Sequence, residues 1–128
     1  MKKILIVTAD YYKEISLGLL HAAKKNLPRN LKIKIIKVPG VFEIPVTISK
    51  YIKKFDAFIA LGCVIKGQTP HFDFICQSST NAIMELSINS KKPIGNGILT
   101  CLNMLQAKAR KKKGAEAAKA VLSVLSQK

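Results

Sequence analysis

The stretch Leu61–Gln77, LGCVIKGQTPHFDFICQ, passes from an apolar run through Gly67, Gln68, Thr69 and Pro70 to His71, where a helical pattern begins. An imidazole at that point can move protons near neutral pH. Asp73 lies two residues beyond; a histidine standing alone in this way also fits a purely structural role. The amides of Gly67, Gln68 and Thr69 precede a helix N-terminus, the geometry that receives a phosphate. The same residues read equally as an ordinary connection, with Thr69 capping the helix and glycine easing the turn. Neither G-x-x-x-x-G-K-[ST] nor G-x-G-x-x-G after a strand is present, which sets aside nucleoside triphosphates and dinucleotides. Cys63 beside this loop suggests a Cys-His nucleophile, but no Asn or Asp is identifiable to orient the histidine. A small buried thiol is the commoner case.

A second stretch, VPGVFEIP (Val38–Pro45), sets an aromatic, Phe42, and a carboxylate, Glu43, at the start of another helix. Glu43 alone would simply complement the helix dipole, and Phe42 alone would be core. A basic run, RKKKG, follows at Arg110–Gly114. Together these groups describe a site for a polyhydroxylated heterocycle and a phosphorylated small molecule. A phosphate leaving group needs a cationic clamp, and Arg110 is one of two arginines in a lysine-rich chain, the other being Arg29.

The elements that must hold these residues follow from hydrophobic periodicity. Residues 3–8, 32–38, 56–62 and 93–99 have the length and composition of strands. Helical spacing runs over 14–27, with Ile15, Leu19, Ala22 and Ala23 on one face and His21 off it, toward solvent. It recurs over 42–52, with Pro45 in its first turn, over about 71–89, and from 102 to the C-terminus with an interruption near 111–114. Strands alternating with helices demand parallel pairing and right-handed crossovers, hence an α/β three-layer sandwich with helices on both faces. Ligands of such sheets bind beyond the carboxyl ends of the strands. Four segments should converge there: Ala9–Tyr12, Pro39–Glu43, Cys63–His71 and Thr100.

With 128 residues, 48% of them hydrophobic, the chain is expected to form one domain over residues 1–128 with its own core. Three scattered cysteines, Cys63, Cys76 and Cys101, show no zinc or redox spacing and suit a reducing compartment. The apolar run Ile4–Val7 is too short for a signal segment, so a soluble cytoplasmic protein away from membranes is expected. The net charge of +15 would ordinarily point to nucleic acid. The excess is nearly all lysine, dispersed along the chain, whereas readers of phosphate and guanine exploit the guanidinium fork. No nucleic-acid partner is therefore expected, and salt-dependent retention on heparin would expose a basic binding module if this reading were mistaken.

In order along the chain, VPGVFEIP, ALGCVIKGQTPHFDFI and GNGILT followed by QAKARKKKGAEAA resemble the lumazine synthase family over essentially the whole length. The resemblance implies condensation of 5-amino-6-(D-ribitylamino)uracil with 3,4-dihydroxy-2-butanone 4-phosphate to 6,7-dimethyl-8-ribityllumazine, with release of phosphate and water. It implies neither cofactor nor metal, and with the alternation of elements it leads us to expect a four-stranded parallel sheet in the flavodoxin-like order 2-1-3-4. Position by position it implies that His71 shuttles protons and that Arg110 holds the butanone phosphate, with Gly67, Gln68 and Thr69 completing the anion site. Phe42 and Glu43 match the ribityl-binding pair, with Val41 beside them. Tyr11 matches an aromatic that stacks on the pyrimidine, and Cys63, Val64 and Ile65 line its pocket. Asn96 stands where many members carry an aromatic cover, which makes that wall more polar here. The basic run is shorter than usual, and Lys113 takes the place of a second phosphate-side lysine. The family assembles as homopentamers, some of them joined into 60-subunit shells, with Arg110 and Asn96 reaching a neighbour's site. Because the chain starts at its first core strand, without the extra segment many members have, the isolated pentamer is expected. The archaeal-type riboflavin synthase, a related enzyme on the same scaffold, is disfavoured by TPHFD.

Overall fold

The computed structural model describes residues 2–127. Four parallel strands, β1 (Lys3–Ala9), β2 (Lys32–Val38), β3 (Ala57–Ile65) and β4 (Ile94–Cys101), pair in the order β2-β1-β3-β4. A 3-10 turn at Val41–Glu43 leads into α2 (Ile44–Lys50); the other helices are α1 (Lys13–Lys25), α3 (His71–Ser90), α4 (Met104–Ala109) and α5 (Lys113–Leu125). The expected α/β class and strand order are both observed. Among the described residues no helix is long and apolar enough to cross a membrane.

β1 and β3 lie at the centre and are buried along nearly their whole length, as strands covered on both faces must be. β2 is an edge, and Lys32, Lys34 and Lys37 stay exposed along it, a charge pattern that discourages further pairing. Because successive side chains alternate, the sheet divides the core in two. Ile4, Ile6, Ile59 and Leu61 meet Leu19 of α1 and Ala117, Ala118 and Val121 of α5. On the other face Leu5, Val7, Phe58 and Ala60 meet Ile44 and Ile48 of α2 and Ile83 of α3.

Several boundaries differ from the periodicity reading by one or two residues, α1 ending at Lys25 rather than 27 and α2 running over Ile44–Lys50 rather than 42–52, and three differences bear on the site. β3 runs on to Ile65 and β4 to Cys101, because these two residues still pair and the Lys66 amide donates to the Cys101 carbonyl at 2.9 Å. Cys63, Val64 and Ile65 are therefore strand residues rather than loop. The C-terminal helical segment breaks at Arg110–Lys112, and Gly114 lies inside α5. Its glycine serves close approach, since a Cβ there would run into the backbone carbonyl of Leu19 in α1.

Cys63 and Cys101 lie in the same buried cluster under α1 and α5. Burial, reinforced by the neighbouring Cys101, pushes the Cys63 thiol up to about 12. A thiol held neutral in this way is a packing group, which removes Cys63 as a nucleophile.

Two outcomes are expected. Gly114→Ala gains ~1 kcal/mol of helix propensity but must displace a main-chain carbonyl, an overpacking cost of about 1–3 kcal/mol; urea unfolding should show a net loss of stability. For Cys63 the folded state keeps its proton when the unfolded chain, with an ordinary thiol value of 9.0, has lost it. Its contribution is complete below that value and declines as pH climbs toward about 12, with a slope of at most ~1.4 kcal/mol per pH unit. Cys63→Ala should flatten the alkaline decline of the urea midpoint relative to the parent protein.

Candidate active site

A cavity of about 650 Å³ opens beyond the carboxyl ends of β1 and β3, a size suited to a small-molecule site. Tyr11 and Tyr12 enter it from the turn after β1, Gly40–Glu43 from the segment after β2, Cys63–Ile65 from the end of β3, and His71, Phe74 and Ile75 from the first turns of α3. Three of the four expected segments converge. Thr100 does not join them, because β4 lies at the sheet edge with only β3 as neighbour.

Each wall has a local cause. Val41 is buried against the α2 and α3 side of the core and anchors the 3-10 turn, which leaves Phe42 63% exposed at the mouth. Glu43 is half-buried and folds back over Gly40, where an added Cβ would come within 3.2 Å of its Oε1. Tyr11, 74% exposed, stands edge-on to Tyr12 with ring centroids 4.9 Å apart. Burial, then Tyr11 and Cys63, raise the Tyr12 phenol above its ordinary value, so it remains a hydrogen-bond donor inside the cleft.

His71 opens α3, and its side chain is exposed and faces the cavity. Thr69 Oγ1 accepts from the His71 backbone amide at 3.4 Å, a long bond, and Pro70 rather than Thr69 occupies the N-cap position. Among the described residues the amides of Gly67, Gln68 and Thr69 donate to no protein group. A Cβ at Gly67 would meet nothing, so packing does not demand glycine there. Asp73 does not orient the imidazole; its charge, after burial, raises the Cys76 thiol on the next turn of α3.

The basic residues lie elsewhere. Arg110 caps the C-terminus of α4 and is exposed, while Lys111 lays its stem on Gly18 of α1. Lys108 pairs with Glu14 at 3.8 Å and Lys113 with Glu116 at 3.9 Å. This group sits against α1 and α5 and is absent from the cavity wall. Asn96 is also outside it: on β4, its Oδ1 accepts from the Ile98 amide at 3.0 Å. One chain thus brings together Tyr11, Val41, Phe42, Glu43, Cys63, Val64, Ile65 and His71; it leaves Gly67, Gln68 and Thr69 off the cavity wall, in the loop before His71, and Arg110, Lys113 and Asn96 apart.

The sequence reading gave no individual role to Tyr12 and Gly40, though both lie in segments it expected at the site, and it passed over Phe74 and Ile75. Phe74 and Ile75 follow His71 by three and four positions, the spacing that shares one helix face. Tyr12 adjoins Tyr11 in a segment already marked as a strand end.

A chemically coherent cleft of this kind invites comparison with known proteins. The family model described as 6,7-dimethyl-8-ribityllumazine synthase matches residues 1–128. The 6,7-dimethyl-8-ribityllumazine synthase of Cutibacterium acnes is 38% identical over 97% of this chain and 80% of its own length. The protein of that name from Methylorubrum populi is 40% identical over 97% of this chain and 81% of its own, and that from Bartonella bacilliformis is 44% identical over 87% and 76%. With its cleft at the ends of β1 and β3 and a match running from first residue to last, the chain belongs to the 6,7-dimethyl-8-ribityllumazine synthase family.

Proposed function

We propose that residues 1–128 act as one domain that condenses 5-amino-6-(D-ribitylamino)uracil with 3,4-dihydroxy-2-butanone 4-phosphate, giving 6,7-dimethyl-8-ribityllumazine, phosphate and water. The observation that carries this reading is that one cleft gathers an imidazole, two tyrosines, two phenylalanines and a half-buried carboxylate. Tyr11 and Phe42 offer flat apolar surfaces to the pyrimidine, Glu43 accepts from ribityl hydroxyls, and Val64 and Ile65 line the pocket beside Val41 and Cys63. His71 moves protons as the imine forms and as phosphate leaves. Holding amine and ketone together supplies most of the acceleration, because their encounter and orientation dominate the uncatalysed barrier.

The phosphate is held by the amides of Gly67, Gln68 and Thr69 and by Arg110 from a neighbouring subunit, with Lys113 and Asn96 arriving from the same neighbour. Two features support a shared site. Arg110 is exposed and, among the described residues, makes no ion pair. Phe74, Met84 and Ile88 on α3, and Leu102 and Leu105 around α4, are large apolar groups left open to solvent, as surfaces destined for burial are. The assembly is a cytoplasmic homopentamer, closed by heterologous interfaces.

The direct test mixes the protein with both substrates and follows lumazine formation and phosphate release together; phosphate without lumazine, or neither, refutes the assignment. His71→Ala should reduce turnover by ~10²- to 10⁴-fold without abolishing it, the usual worth of general acid-base help. Arg110→Ala should raise KM for the butanone phosphate far more than for the pyrimidine, and Arg110→Lys should restore part of the loss. His71→Ala and Arg110→Ala chains, unfolded together in equal amounts and refolded, should regain roughly one quarter of wild-type activity. A working site needs a good histidine from one subunit and a good arginine from the next, each met with even odds in a ring. No recovery in mixed rings confirmed by mass places the whole site in one chain.

A further inference from the structure

A second, smaller cavity of about 150 Å³ lies between the end of β1, β2 and the first turns of α1, and shares no lining residue with the cleft. Thr8 lines it, 2% exposed, and among the described residues its Oγ1 has no hydrogen-bond partner. Buried hydroxyls left unpaired in this way are rare exceptions that call for an explanation, and the space is ample for a small polar guest. Sheet register sets Lys37 directly beside Thr8 on the neighbouring strand. Lys13 and Ser16 border the cavity from the first turns of α1, Asp10 from the turn before it, and Leu17 and Leu20 close its side.

The hydrogen-bonding inventory of this lining is mixed. Thr8 and the two ammonium groups offer donors. Asp10 can only accept, and Ser16 Oγ has committed its proton to the Tyr12 carbonyl at 2.8 Å, leaving lone pairs. A fully deprotonated oxyanion would satisfy the lysines and Thr8 but face the Asp10 carboxylate with no proton between them. An oxyanion that still carries a hydroxyl satisfies both sets, and two cations against one carboxylate favour negative charge. We infer that this cavity is a second anion site, selective for a protonated oxyanion of the hydrogen phosphate type and independent of the His71 cleft. Thr8 donates to one phosphate oxygen, Lys13 and Lys37 neutralise the others, and the phosphate hydroxyl donates to Asp10.

The test is calorimetric titration of the Arg110→Ala protein, which lacks the arginine of the proposed catalytic clamp, at constant ionic strength and mildly alkaline pH. The probes are inorganic phosphate, sulfate and methyl phosphate, of which only the first then keeps a proton. Inorganic phosphate should bind about tenfold or more tightly than either of the others, and Asp10→Asn should erase that preference. Thr8→Val and Lys37→Gln should each weaken phosphate about tenfold, as expected for loss of a hydrogen bond to a charged group. Should Thr8→Val fail to fold, Lys37→Gln and Asp10→Asn decide the matter. The inference is overturned by absence of phosphate binding above a chloride control, by equal affinity for the three anions, or by affinity indifferent to Lys37→Gln. Any phosphate bound by the parent protein and lost in Arg110→Ala belongs to the clamp, so the two readings fail separately.

Discussion

The pairing of β1 with β3 is the constraint on which the rest of the molecule depends. These two strands are joined in parallel, from Ile4 opposite Ala57 to Thr8 opposite Leu61, and both are buried on both faces. The chain leaves β1 toward β2 on one side and β3 toward β4 on the other. Crossover connections depart in opposite directions above that one pair, and the connecting segments cannot fill the space between them. The cleft is that space. Tyr11 and Tyr12 bound it because they follow β1, and Cys63–Ile65 and His71 because they end β3 and open the next helix.

Close packing beneath the cleft sets its shape. Gly62 lies on β3 where an added Cβ would come within 2.8 Å of Val41 and 3.1 Å of Ala9. Its missing side chain lets the 3-10 turn seat on the sheet, and that seating turns Phe42 outward while Glu43 curls over Gly40. On the other face, Gly114 and Gly95 let α5 approach α1 and β4 to backbone distance. The α4–α5 junction, with Arg110 at its head, is held on α1 by the same packing and stands clear of the cleft. The proposed labour is thus divided, with pyrimidine recognition and proton transfer at the cleft over the strand ends and the phosphate cation on the α1 and α5 side of the sheet.

Electrostatics follow this layout. The thiol on the cleft wall, Cys63, is held in its neutral form by burial and by its sulfur neighbour. The polar side chains on the cleft wall are His71, Glu43 and the two tyrosines, while the loop before α3, whose amides donate to no protein group among the described residues, lies off that wall. Among the described residues the two ion pairs, both partly exposed and near the 4 Å limit, lie around α1, α4 and α5. Exposed pairs of this kind contribute little to stability, so the fold rests on its two apolar layers rather than on its abundant lysines.

The sequence alone determined the order of elements, the α/β class and the neighbourhood of the site, because each of these is written in local pattern. Runs such as KILIVT and DAFIALG are too apolar for any place but a sheet covered on both faces, and GQTPH before a helical period marks a strand-to-helix turn whoever its neighbours are. The motifs VPGVFEIP and GQTPHFDFI likewise carried the family, since order and spacing along the chain need no fold to be read. Tertiary structure alone decided the rest. It carried β3 on to Ile65, because a strand ends where its partner's hydrogen bonds end. It made Gly114 a packing glycine inside a helix rather than a terminator, because only Leu19's carbonyl, distant in the chain, forbids a side chain there. It brought Phe74 and Ile75 into the cleft and kept Arg110, Lys113 and Asn96 out of it, because side chains meet according to how helices pack on a sheet, and no local pattern encodes that geometry.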